Sequence, residues 1–110
     1  MSIAADLLRG HTDTIILAQL IQGDSYGYQI RRAIEQKTNS EFTLKEATLY
    51  TAFRRLEEMG GILSYWGDET TGARRRYYSI TALGKEYYSK LLSDWEHLNE
   101  IIDKLIKVGE

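Results

Sequence analysis

The chain holds no cysteine, which excludes disulfides, thiolate zinc sites and thiol redox chemistry. No apolar run approaches the roughly 18 residues that a membrane span needs. The amino terminus, MSIAADLLRGH, lacks the charged and apolar regions of a secretory leader. A cytoplasmic protein with no membrane partner is therefore expected. Histidine is scarce as well: His11 and His97 fall in separate predicted helices and have no metal-ligand spacing. The stretch from Gly67 to Gly72 lacks the Lys-Ser/Thr and the following helix of a phosphate-cradling loop, and no nucleophile–base pair stands out. Neither an enzyme nor a bound cofactor is expected.

No single sign of charge dominates. The 110 residues carry 14 basic and 16 acidic side chains, a net charge of −2, so total charge does not mark a nucleic-acid binder. Distribution says more. Residues 24–80 hold nine Lys/Arg and eight Asp/Glu, whereas residues 81–110 hold four and six. The length suits one domain, or one domain with an appendage.

What is present is helical periodicity. Residues 4–22 place Leu7, Leu8, Ile15, Ile16, Leu17, Leu20 and Ile21 mostly at helical spacing, with Gly10 as an interruption and Gln22-Gly23-Asp24 as the end. Ser25 has the chemistry of an N-cap for a second helix over about 26–37, with Tyr28, Ile30 and Ile34 available to the core. Lys37-Thr38-Asn39-Ser40 is turn chemistry. In a third helix within 43–60, Thr43 and Glu46 have the spacing of a capping box. Leu49, Phe53 and Leu56 line one buried face, and Gly60 supplies the left-handed stop. The opposite face presents Ala47, Tyr50, Thr51 and Arg54. Arg54 and Arg55 have Glu58 and Glu57 as alternative partners along the helix.

From Ile62 to Trp66 and from Arg74 to Ile80 the pattern is that of a β-hairpin with a polar tip at 67–72. Its return strand opens with Arg74, Arg75 and Arg76, which suit phosphate contact; the pattern does not choose among them. Trp66 is expected to be structural. Thr81 then caps a long helix over about 81–107. Tyr88, Leu91, Trp95, Leu98, Ile102 and Leu105 step by three and four along it, a heptad seam that calls for a second copy of the chain. The layout is mainly α with a small β-hairpin (α+β). It is a winged helix-turn-helix over residues 1–80, whose first helix also packs at the dimer interface, with a C-terminal dimerisation helix over 81–110.

Residues ATLYTAFRRLEEMGGI and the later RRRYYSITALGKEY resemble the TLYxxLxRLExxGxI…RRxYxLTxxG pattern of PadR-type transcriptional regulators. QGDSYGYQI, YWGDE and the tryptophan of the final helix resemble the small, multidrug-responsive LmrR-like subgroup. The resemblance covers nearly the whole chain. It implies a homodimeric repressor on a two-fold symmetric double-stranded DNA operator. The third helix would enter a major groove, and the wing would approach a minor groove or the backbone. Lys45, Ala47, Thr48, Tyr50, Thr51, Arg54, Arg74, Arg75 and Arg76 are then the DNA-binding candidates. It also implies that planar aromatic compounds stack against Trp95 at the dimer seam, with Leu7, Leu8, Thr14, Leu91, Leu92, Leu98 and Asn99 as neighbours. Two positions depart from the pattern. Neutral Asn99 shifts any acid-assisted preference for cationic compounds to Asp94 or Glu100, and Gly61 after Gly60 is expected to loosen the start of the wing. The alternative to an effector-controlled regulator is a winged-helix module that contacts only other proteins.

Overall fold

The computed structural model describes residues 7–68 and 74–109; Ala4, most of the hairpin tip and the last residue lie outside them. A 3₁₀ turn at Arg9–His11, containing Gly10, leads into α1 (Thr12–Ile21). There follow β1 (Ser25–Tyr26), α2 (Gly27–Lys37), α3 (Glu46–Glu58), β2 (Ile62–Trp66), β3 (Arg76–Ile80) and α4 (Ala82–Ile106). The sheet is antiparallel in the order β1-β3-β2. The hairpin register pairs Ile62 with Ile80, Ser64 with Tyr78 and Trp66 with Arg76. A further bond from Gly67 N–H to Arg75 C=O (2.7 Å) extends the ladder.

One core joins the helices to the sheet. Ile16, Leu17 and Leu20 of α1 meet Ile30 and Ile34 of α2 and Leu49, Ala52, Phe53 and Leu56 of α3. Ile62 and Tyr78 close it from the sheet. Phe53 stacks on Tyr78 with centroids 3.8 Å apart, and its full burial contributes roughly 1.5–3 kcal/mol. The predicted third-helix face is thus the buried one. Its end also follows expectation. Gly60 adopts φ +79°, and Gly60 and Gly61 N–H bond back to Glu57 and Leu56 C=O, which closes the helix as a Schellman motif.

Three local expectations are corrected. Ser25 does not cap α2; it pairs with Tyr78 in β1, and its hydroxyl donates to Gln29 Oε1 at 2.6 Å. The N-cap position falls to Tyr26, which makes no side-chain cap bond. Tyr28 is not a core residue but is 62% exposed. Thr43 and Glu46 do not form a capping box, because α3 starts only at Glu46 behind an extended Lys45. Leu44 is buried, and its carbonyl accepts from Arg31 Nε at 2.9 Å. That tether holds the chain extended where the box would need a helical turn.

Thr81 does cap α4, its hydroxyl accepting from Gly84 N–H at 3.0 Å. At 1.5 Å per residue the 25-residue helix runs for roughly 37 Å. Tyr87, Tyr88 and Leu91 pack against the core, so the first turns of α4 belong to the head and the rest extends beyond it. Gly61 is not a loose point. Its carbonyl accepts from Thr81 N–H at 3.0 Å, and Thr81 Oγ1 donates to Gly60 C=O at 2.7 Å.

Candidate nucleic-acid interface

The surface of α3 forms because its apolar residues are consumed on the other side. Ala47, Thr48, Tyr50, Thr51 and Arg54 are all exposed, as is Lys45 immediately before the helix. Small and hydroxyl-bearing side chains come first and the arginine follows a turn later, a profile that fits a groove. Tyr50 also rests edge-on against Phe53 (5.6 Å between centroids), which orients its ring.

Arg55 has a different partner from those expected. It crosses to Asp13 of α1 in a two-point ion pair rather than bonding Glu57 or Glu58. Tyr87 of α4 donates to the same carboxylate at 3.3 Å. Asp13 therefore joins α3 to both α1 and α4. The hydrogen bond to Asp13 raises the Arg55 pKa further above its ordinary value. Burial, and then the charge of Asp13, raises that of Tyr87, which keeps the phenol a donor. We expect Asp13→Asn and Arg55→Gln each to cost about 1 kcal/mol or less, because Arg55 is half exposed. Urea denaturation of both single variants and the double should give a positive coupling energy; strict additivity would remove the link.

In the wing the arginine triplet separates. Arg76 donates to Ser64 Oγ at 2.8 Å and lies 3.6 Å from Glu57, whose carboxylate also accepts from Ser64. Its charge is matched within the fold. Arg74 and Arg75 lie beyond the strand end, over the rings of Trp66 (5.4 Å) and Tyr26 (4.8 Å). Trp66 is accordingly more than half exposed and supports Arg74 rather than the core. On the outer sheet face Tyr65 stacks on Tyr77 and Tyr77 meets Tyr26 edge-on. Tyr65 donates to Asp24 at 2.5 Å, a bond that raises its pKa. None of these three tyrosines belongs to the candidate site expected from sequence; the aromatic richness of the hairpin strands is the signal that could have found them.

Along α4, Trp95 is 45% exposed and Leu105 71%, with Leu98 and Ile102 also exposed. An apolar cleft of ≈320 Å³ brings together Leu8, Thr14, Leu92 and Trp95 of the expected ligand set and adds His11, Ile15 and Tyr88. Leu7, Leu91, Leu98 and Asn99 do not line it. Asp94 is paired with Lys90 at 2.8 Å.

The family model for the transcriptional regulator PadR-like family matches residues 16–90, from α1 through the wing into α4. The chain belongs to the PadR-like family. A transcriptional regulator from Clostridium thermocellum is 49% identical, with a TM-score of 0.87 over 96% of this chain and all of that one. A PadR family transcription regulator from Clostridium difficile is 34% identical, with a TM-score of 0.75 over 87% of this chain and 98% of that one. Uncharacterized protein X of Lysinibacillus sphaericus is 48% identical over 92% of this chain and 93% of its own length. PadR-like membership makes this a DNA-binding transcriptional regulator, not an enzyme. Among the described residues no helix is long and apolar enough to cross a membrane.

Proposed function

We propose that this PadR-like chain is a homodimeric repressor that binds a two-fold symmetric operator and releases it when a planar aromatic compound occupies the dimer seam. The observation that carries the dimer is the exposed seam of α4. Trp95, Leu98, Ile102 and Leu105 lie on a helix that outruns its own head. At ~25 cal/mol per Å² such a stripe gains much by pairing with a second copy. Each protomer would offer α3 to a major groove and Arg74 and Arg75 to the flanking backbone. Lys45, Ala47, Thr48, Tyr50, Thr51 and Arg54 form the reading surface, and Arg76 contributes by bracing the wing.

The apolar cleft beside Trp95 supports the effector reading, since a flat indole face suits a planar ring. The same α4 that lines this cleft contacts the Asp13–Arg55 pair through Tyr87. A ligand that shifts α4 would thereby alter the separation of the two α3 helices. If the ligand lowers operator affinity, the operator must lower ligand affinity by the same factor.

Selection from random double-stranded DNA is expected to enrich inverted repeats, and sedimentation should give a dimer. Failure to enrich DNA would reject the regulator reading, and a monomer at micromolar concentration would reject the dimer. Trp95→Ala is expected to weaken binding of a planar aromatic dye roughly tenfold, read by anisotropy, and to abolish dye-dependent operator release. Unchanged values for both would make the seam mechanism wrong.

A further inference from the structure

Two clefts meet on the flank of α3 that faces α1 and α4, and they share Arg9, Thr12 and Thr48. The larger, ≈460 Å³, extends to Arg55, Asp13 and Tyr87; the smaller, ≈160 Å³, extends to Thr43 and Lys45. Among the described residues their lining includes the cations Arg9, Lys45 and Arg55 and the carboxylate Asp13. That carboxylate already accepts from Arg55 and Tyr87. Thr12 donates to Arg9 C=O at 3.3 Å and so braces the turn that presents Arg9. Cations and hydroxyls converging on a concave surface are the chemistry of a phosphate seat.

We propose that Arg9, Lys45 and Thr48 hold a phosphate of the operator backbone on this flank of α3, as Arg74 and Arg75 do from the wing. The assignment rests on the DNA-binding reading and extends it to α1, since Arg9 belongs to none of the residue sets expected from sequence. Its physical value is orientation. A helix held by phosphates on one flank can still roll in a groove, whereas one held on both flanks presents Thr48, Tyr50 and Thr51 at a fixed angle. In the proposed dimer α1 and α4 lie toward the two-fold axis, so the phosphates concerned fall between the half-sites.

The test uses the full chain and a selected operator, with Arg9→Gln, Arg9→Lys and the Arg74→Gln/Arg75→Gln double variant. Arg9→Gln is expected to weaken operator binding about tenfold and to lower the salt slope by about 2 per dimer, one phosphate per protomer at roughly 0.9 each. Phosphate ethylation between the half-sites should interfere with binding by the wild type and no longer by Arg9→Gln. Arg9→Lys should retain most of the slope because it keeps the charge. If Arg9→Gln keeps affinity and slope while the wing double variant loses both, the seat is wrong and the DNA-binding reading stands. Absence of any DNA binding by the wild type overturns both. Inorganic phosphate titrated into the DNA-free protein separates the remaining source. No saturable shift of the Thr48 amide fits a backbone seat, whereas saturation that disappears in Arg9→Gln would assign the site to a free anion and overturn the operator assignment.

Discussion

Gly84→Ala should destabilise the folded chain by about 3 kcal/mol and lower its melting temperature by roughly 10–20 °C. A Cβ at this position would be driven into the carbonyl oxygen of Gly61, with Ile80 Cγ1 at 2.8 Å and the Gly61 carbonyl carbon at 2.9 Å. Flexible side chains can move aside at modest cost, but a backbone carbonyl cannot. This one is also held by Thr81 N–H, and its neighbour Gly60 C=O accepts from Thr81 Oγ1. Relief would require α4 to lift from the root of the wing, breaking the Thr81 bonds and separating Tyr87 from Asp13. Gly61→Ala is the control. Its Cβ would meet nothing closer than 3.6 Å, so it should change stability by no more than about 0.5 kcal/mol. Thermal denaturation of the two variants side by side decides the matter; equal losses would discard the close approach as the cause.

Replacing Arg74 and Arg75 together by Gln should weaken operator binding by about 100-fold at moderate salt and reduce the salt slope by roughly 3–4 per dimer. Both side chains are exposed at the outer end of the wing, so the fold should keep its melting temperature. Arg76→Gln should behave in the opposite way. Its guanidinium is spent on Ser64 and Glu57, and its loss should cost about 1 kcal/mol or less of stability while leaving most of the slope intact. Fluorescence anisotropy across a salt series, with thermal melts of the same samples, separates the two behaviours. A slope loss for Arg76→Gln equal to that of the double variant would show that the triplet acts as one undivided patch.

The exposed face of α3 could be read from the chain because burial there follows a single period. Leu49, Phe53 and Leu56 must point inward, Ala52 joins them, and Ala47, Thr48, Tyr50, Thr51 and Arg54 are left exposed. The stop at Gly60 and the cap at Thr81 were equally legible, since each depends on residues within four positions. The errors share another cause. A serine before a helix usually caps it, but at Ser25 a strand 53 residues on, at Tyr78, recruits the backbone instead. The capping box at Thr43 gave way to the Arg31 bond with Leu44, another contact between distant parts of the chain.

Local spacing alone thus specified four helices, a wing, an exposed α3 face and an apolar seam, because amphipathic period, caps and turn residues act over a few positions. The partners of the charged side chains came only with the tertiary structure. Arg55 could have met Glu57 or Glu58 but meets Asp13, 42 residues away. Arg76 sits in a triplet of like residues, yet it turns back to Ser64 and Glu57. A long flexible cation reaches several acids of comparable strength, so its choice rests on packing. Only the folded chain brings α1, α3 and α4 together around one carboxylate and places Arg9 beside Thr48.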